Sequence, residues 1–192
     1  HTSLYYCTSP LDLKYLGGTI DDAAGEAFDK VAAMLQLGFP GGPAVSKLAA
    51  QGNRKAHAFP RSMLKDDNFD FSFSGLKTAV RYAIVGPGQQ DFSKVKLPTA
   101  AKADLCASFE AAVVDVLVTK CQRAIRRHDC SRLIVGGGVA ANSYLRTCLE
   151  DAAAKNRFEM TIAPMNLCTD NAVMGANALE KIKRVEYDSH CL

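Results

Sequence analysis

Residues 132–142, RLIVGGGVAAN, place a short apolar run directly before three consecutive glycines and a helix start. Arg132–Val135 reads as a short buried strand and Gly136–Gly138 as a turn. Asn142 or Ser143 then opens a helix to about Asn156, and Phe158–Ala163, closed by Pro164, is another strand. Strand, helix and strand at these lengths imply a parallel sheet with helices on its faces. In such sheets ligands bind outside the carboxyl ends of the strands. Consecutive glycines let main-chain N–H groups approach a ligand with no Cβ in the way, and the helix N-terminus beyond them favours negative charge. The same residues also make a plain strand-to-helix turn, and the glycines alone leave both uses open. The loop is neither G-x-G-x-x-G nor a Walker lysine loop.

Upstream, His1–Cys7 and Tyr15–Thr19 read as two strands around a Ser9-Pro10 turn. Asp21 or Asp22 can cap a helix from Ala23 to about Leu37, where Ala24, Phe28, Val31, Ala32 and Leu35 share a face. Pro40-Gly41-Gly42-Pro43 follows as a turn, then a shorter helix over Ala44–Ala50. Residues 51–70 are polar and read as a surface excursion, and Ser72–Ile84 is a helix with Ser74 as a possible cap. The strongest helical signal runs from Ala100 to Arg127, with apolar residues at helical spacing for about seven turns. Thr169 or Asp170 opens a last helix to about Val185.

With 48% hydrophobic and 22% charged residues, the 192-residue chain can bury a real core and is not a disordered tail. A net charge of +3 is too small to argue for nucleic acid by itself. Seven cysteines without a C-x-x-C pair read as reduced thiols in a cytosolic compartment and build no zinc ribbon. The most apolar stretch, Ala111–Val118, is interrupted by Asp115 and falls far short of the ~20 residues a bilayer needs, so no membrane partner is expected. The four histidines form neither H-E-x-x-H nor H-x-x-x-H, and no serine sits in a G-x-S-x-G elbow.

Three further features admit two uses each. Asp170, in LCTDN, suits a helix cap or a metal ligand. Asp21, Asp22 and Glu26 complement a helix dipole, but Asp29 lies nearly two turns in and is either a surface partner of a lysine or a functional carboxylate. FDFSFSG carries Phe69, Phe71 and Phe73 beside Lys77 and Arg81, with Arg54, Lys55, Arg61 and Lys65 nearby in sequence. Those rings either stack on RNA or tuck into the core.

In order, GGTIDDAAGEAFDKVAAMLQLGFPGGP, DFSFSGLKTAV, GGGVAANSYLR and LCTDNAVMGA resemble the TsaD/Kae-type family of tRNA threonylcarbamoyladenosine transferases, formerly labelled O-sialoglycoprotein endopeptidases. The resemblance spans most of residues 1–180. It implies an α/β fold of the actin/Hsp70/sugar-kinase ATPase class (RNase H-like), with helices on a mixed sheet. Residues 1–192 would form its C-terminal lobe, with a helical insertion at about 44–98. It implies transfer of the threonylcarbamoyl group from threonylcarbamoyl-adenylate to N6 of the adenosine beside the anticodon in tRNAs that read codons starting with A. Matched position by position, Asp29, Gly42 and Asn142 would hold the adenylate substrate. Gly137 and Gly138 would line its adenine and ribose, and Asp170 would ligate a divalent metal, iron or zinc. Implied partners are tRNA and, in bacteria, a TsaB-like paralogue and a TsaE-like ATPase.

The family's first lobe, its H-x-x-x-H metal pair and the strand and Ser-Gly-Gly turn before His1-Thr2 have no counterpart in these residues. That strand would lie centrally in the sheet, so this chain alone is expected to expose apolar sheet edges, to hold metal weakly and not to modify tRNA. Two other readings stand beside the transferase: a metallopeptidase, for which no spacing offers a zinc triad, and a nucleotide-binding scaffold lobe without its own activity.

Overall fold

The structure is a computed structural model that describes residues 1–9, 12–89, 91–92 and 96–164. The last helix expected from Thr169 or Asp170, and Asp170 itself, lie outside the described residues. In chain order the elements are strands β1 (Ser3–Ser9) and β2 (Asp12–Gly18), helices α1 (Ala24–Met34), α2 (Gly41–Ala49), α3 (Ser74–Val85) and α4 (Thr99–Arg127), strand β3 (Arg132–Val135), helix α5 (Ser143–Asn156) and strand β4 (Glu159–Ile162). A single 3₁₀ turn, Gly138–Ala141, joins β3 to α5.

The 29-residue α4 is the spine. Leu105, Cys106, Phe109, Ala112, Val113 and Val116 are buried along it, at steps that keep one broad face apolar. That face packs against α1 and α2, where Phe28 meets Phe109 edge-to-face with ring centroids 5.0 Å apart. Val114 and the partly buried Leu117 instead meet Leu145 and Leu149 of α5. Phe69, Phe71 and Phe73 are 7%, 1% and 0% exposed, which gives the rings to the core and withdraws them from any RNA.

β1 and β2 form an antiparallel hairpin, and β3 pairs in parallel with β4, Arg132 opposite Glu159 through Val135 opposite Ile162. Instead of the single mixed sheet expected from the sequence, the described residues form two two-stranded sheets. A cleft of about 200 Å³ lies between them, with Ser3 and Leu4 on one bank and Leu133, Ile134 and Val135 on the other. No described strand bridges that cleft, and Ile134 remains 70% exposed.

The acidic start of α1 is used differently from the helix-cap expectation. The N-cap position is Ala23, with no side-chain cap, and the Thr2 hydroxyl accepts from Ala24 N at 2.9 Å instead. Asp21 reaches across the fold: Oδ1 accepts from Phe73 N (2.9 Å) and Ser74 N (3.3 Å), and Oδ2 from the Ser72 hydroxyl (2.6 Å). It thereby satisfies main-chain N–H groups at the start of α3 that Ser74 does not reach from within the helix. Asp22 is clamped between Lys30 (2.8 Å) and Lys77 (2.7 Å). Burial would raise its pKa, but the hydrogen bonds and charges of the two lysines outweigh it and hold the carboxyl below its ordinary value. A depressed folded pKa stabilises at pH above the unfolded value of about 3.9, and that contribution is lost as pH falls through the folded one. The gap in urea midpoint between the wild-type chain and Asp22→Asn should therefore be widest near neutrality and shrink in acid. A gap independent of pH would contradict the clamp.

The polar excursion at 51–70 is held down along its length. Asn53 N donates to Asp104 Oδ1 (2.7 Å), His57 N to the Ser108 hydroxyl (3.1 Å), and Arg61 clasps Asp115 through Nε (3.0 Å) and a terminal nitrogen (2.8 Å). The buried Lys120 ammonium donates to both oxygens of Asn68 at 2.9 Å, and Arg123 grips the carbonyls of Leu64, Asp66 and Asn68. At Gly52 the chain lies so close to α4 that a Cβ would sit 2.1 Å from the Ala103 carbonyl oxygen.

Candidate functional site

β3 delivers the chain to Gly136, and the turn that follows depends on Gly137. Its φ of 92° and ψ of 166° belong to a region that residues with a Cβ scarcely visit. Among the described residues a Cβ at Gly137 or Gly138 would meet nothing within 4 Å, so they leave the outer side of the turn open. Behind it the 3₁₀ turn is pinned: Ala140 N donates to Gly137 O (3.0 Å), Ala140 is buried, and Arg146 Nε donates to Ala140 O (2.7 Å). Across the cleft stand His1 and Thr2, beside the N-terminus of α1 at Ala24.

Asn142 closes this unit as the N-cap of α5, its Oδ1 accepting from Leu145 N at 2.8 Å. Its Nδ2 donates to the Ser46 hydroxyl on α2 (2.7 Å) and to Glu110 Oε1 on α4 (2.8 Å). Asn142 thus ties α5, α2 and α4 together where the sequence suggested only a ligand contact or a helix start.

The Pro40-Gly41-Gly42-Pro43 segment is not only a turn. α2 begins at Gly41, three residues before the expected Ala44, and Pro43 is accommodated because a first-turn N–H has no intrahelical acceptor. Asp29 Oδ1 accepts from Gly41 N at 2.8 Å, so the carboxylate anchors the α2 start and pairs with no lysine among the described residues; Lys30 serves Asp22 and Glu26. A Cβ on Gly41 would fall 2.5 Å from Asp29 Cα, whereas one on Gly42 would meet nothing within 4 Å. Gly42 and Ser46 are one helical turn apart, so Asp29, the α2 start, Ser46, Asn142 and the glycine turn follow one another through direct bonds and single turns. Five of the six residues singled out from sequence are linked in this way; the sixth, Asp170, lies outside the described residues.

Sequence reasoning passed over Glu110 and Ser46 and took Arg54 only as part of a basic run beside the phenylalanines. Glu110 is 1% exposed, and its second oxygen faces an Arg54 nitrogen at 3.4 Å. The Arg54 guanidinium lies 4.0 Å over the Tyr144 ring. A lone acidic residue inside the apolar run FEAAVV was the available signal for Glu110. Ser46 offered none.

Among the described residues of this neighbourhood, Cys106, Cys148 and Tyr144 are all shifted towards their protonated forms. Burial, with a smaller push from Glu110, drives the Cys106 thiol up to about 12, and burial also raises Tyr144 and Cys148. Among the described residues no three His, Cys, Asp or Glu side chains converge on a point where a metal could sit. They do not amount to the iron or zinc site that the resemblance implies, and they give no support to a zinc peptidase. No described helix is long and apolar enough to cross a membrane. The arrangement can grip and orient a ligand with main-chain groups and a rigid helix cap.

Residues 1–177 match the TsaD family, described as tRNA N6-adenosine threonylcarbamoyltransferase. A protein of that description from Rhodopirellula baltica is 65% identical over 198 residues, which cover 98% of this chain and 55% of the relative. One from Chromobacterium violaceum is 47% identical, covering 93% of the chain and 51% of the relative. One from Thermosipho africanus is 43% identical, covering 98% and 56%. The chain spans about half the length of these curated relatives. An open glycine turn, whose adjoining Asn142 is bonded to Ser46 of α2 and Glu110 of α4, thus stands in a sequence that belongs to the TsaD, or tRNA N6-adenosine threonylcarbamoyltransferase, family.

Proposed function

We propose that this chain forms the adenosine-holding wall of a tRNA N6-adenosine threonylcarbamoyltransferase. The observation that carries the proposal is the turn at Gly137, whose outer side is open and whose inner side is pinned to α5. In this reading Gly137 and Gly138 bring main-chain N–H groups up to the adenine and ribose of threonylcarbamoyl-adenylate. Gly42, with open space at its α position, lets the ligand approach the α2 start that Asp29 anchors. Asn142 keeps the turn and α2 in register. The chain's contribution to group transfer is then positioning: holding the mixed anhydride so that the adenine amine of tRNA reaches the carbamoyl carbon in an effectively intramolecular step.

The same reading makes residues 1–192 the C-terminal lobe of a two-lobe actin/Hsp70-like ATPase fold, with the segment at about 44–98 inserted in it. The cleft beside β3 is where a further strand from the rest of the protein would complete the sheet. Asp170 would contribute one ligand to an iron or zinc held mainly by the other lobe. A TsaB-like paralogue, a TsaE-like ATPase and tRNA are the partners, in the cytoplasm.

Gly138→Val tests the core of this proposal. A side chain there projects into open space, so the fold should be kept and the thermal midpoint little changed. In the full-length protein, titration with ATP and with a non-hydrolysable threonylcarbamoyl-adenylate analogue should show affinity reduced by more than about tenfold, equivalent to roughly 1.4 kcal/mol. Unaltered binding of both would move the ligand away from the glycine turn.

A further inference from the structure

Glu110 is a carboxylate 1% exposed in the middle of the longest helix. Such a group is costly to bury unless its oxygens have defined partners. Here Oε1 takes the Asn142 amide at 2.8 Å, and Oε2 faces Arg54 at 3.4 Å. Arg54 is itself steadied by the Tyr144 ring beneath it, on the first turn of α5. The carboxylate therefore touches the start of α5 twice, directly through Asn142 and indirectly through Arg54 and Tyr144.

An amide has one donating end and one accepting end, and both ends of Asn142 are committed. Nδ2 gives its two protons to Ser46 and Glu110, and Oδ1 takes Leu145 N. A carboxylate paired with an arginine accepts and does not donate, so it tolerates only the nitrogen end of the amide. A flipped amide would set oxygen against oxygen at Glu110 and leave the first turn of α5 without its cap. The 3₁₀ turn that carries Gly138 would then lose its fixed downstream end, because Asn142 N also donates to Val139 O at 3.0 Å.

We propose that Glu110 is a positioning residue for the nucleotide-holding turn: from inside α4 it fixes the orientation of the Asn142 amide and thereby the placement of Gly137 and Gly138 against α2. This rests on the transferase reading for its functional consequence, but its structural part stands on the geometry alone. Neither Glu110 nor Arg54 lines the cleft beside the turn. Their influence passes through Asn142.

The test uses the full-length protein with Glu110→Met, Glu110→Gln and Ser46→Ala. Methionine is of similar length and keeps the site filled while removing the acceptor; glutamine keeps an acceptor oxygen for Asn142. Amide hydrogen exchange should accelerate about tenfold or more at residues 137–145 in Glu110→Met, with the α1 and α2 core unchanged, and return close to wild type in Glu110→Gln. Ser46→Ala, which removes only one of the two amide acceptors, should give a smaller acceleration over the same residues. In threonylcarbamoyl transfer, KM for the adenylate should rise about tenfold in Glu110→Met with kcat nearly kept, since ground state and transition state would lose the same grip. Unchanged exchange at 137–145 in Glu110→Met, equal impairment in Met and Gln, or acceleration spread over the whole chain would each overturn the assignment. A wild-type protein that transfers no threonylcarbamoyl group would sink the transferase reading, while the exchange comparison would still decide the role of Glu110.

Discussion

Gly137→Ala should lower stability by about 1–3 kcal/mol and nucleotide affinity by far more than the stability loss suggests. The two effects have one origin. With φ at 92° and ψ at 166°, Gly137 occupies a conformation reserved for glycine, while a Cβ there would touch nothing within 4 Å. The penalty is therefore backbone strain and not crowding, and no neighbour can relieve it by moving aside. The chain relieves it by refolding the turn, which breaks the Ala140 N to Gly137 O bond and shifts the main-chain groups proposed to face the ligand. In a domain of this size each kcal/mol moves the thermal midpoint by about 2–4 °C, so the variant should stay folded near room temperature. Binding of ATP by the full-length variant should nonetheless be undetectable at concentrations that saturate the wild type. A variant that binds normally would show that the turn's conformation is incidental to the ligand.

Phe109→Ala addresses the scaffold instead of the turn. Phe109 is 0% exposed, lies one residue before Glu110 on α4 and meets Phe28 of α1 edge-to-face. Truncating a fully buried phenylalanine costs about 3–5 kcal/mol, because transfer energy is lost and the cavity refills only in part. Against a total of roughly 5–15 kcal/mol for a typical domain, that leaves a chain close to its folding threshold. Urea denaturation should show a large fall in midpoint at unchanged m-value. Tyr82→Ala, at a ring 43% exposed on α3, should stay within about 0.5 kcal/mol of wild type. A small effect at Phe109 would mean that α1 and α4 are not packed as described.

Local patterns revealed most of the elements. Apolar spacing located α4 to within one residue at its start, and the strand β3 matches its expected limits, because both are set by short-range periodicity. The start of α2 was missed since Gly-Gly between prolines signals a turn in isolation. What makes it helical is Asp29, twelve residues upstream, accepting from Gly41 N. Asp21 looked like a cap for α1 and instead serves α3, more than fifty residues away. The same distance hid the working of Asn142, whose amide meets Ser46 and Glu110 from two other helices. Candidate site residues were picked out through motif resemblance and glycine content. The bonds that hold them were not, because a sequence window does not report which side chains a tertiary fold brings face to face.

The clamps on residues 61–70 carry an evolutionary consequence. Lys120 and Arg123 hold that segment mostly by its carbonyl oxygens, at Leu64, Asp66 and Asn68. Every amino acid supplies a carbonyl, so the path of the segment is specified from α4 while its own letters are largely released from that duty. Identity enters the clamp where side chains take part: Asn68 Oδ1 meets Lys120, Asp67 pairs with Arg127, and Arg61 clasps Asp115. Sequence drift in this family should therefore be freer at 64–66 than at Lys120 and Arg123. A surface can then be re-lettered for different partners without redrawing its course.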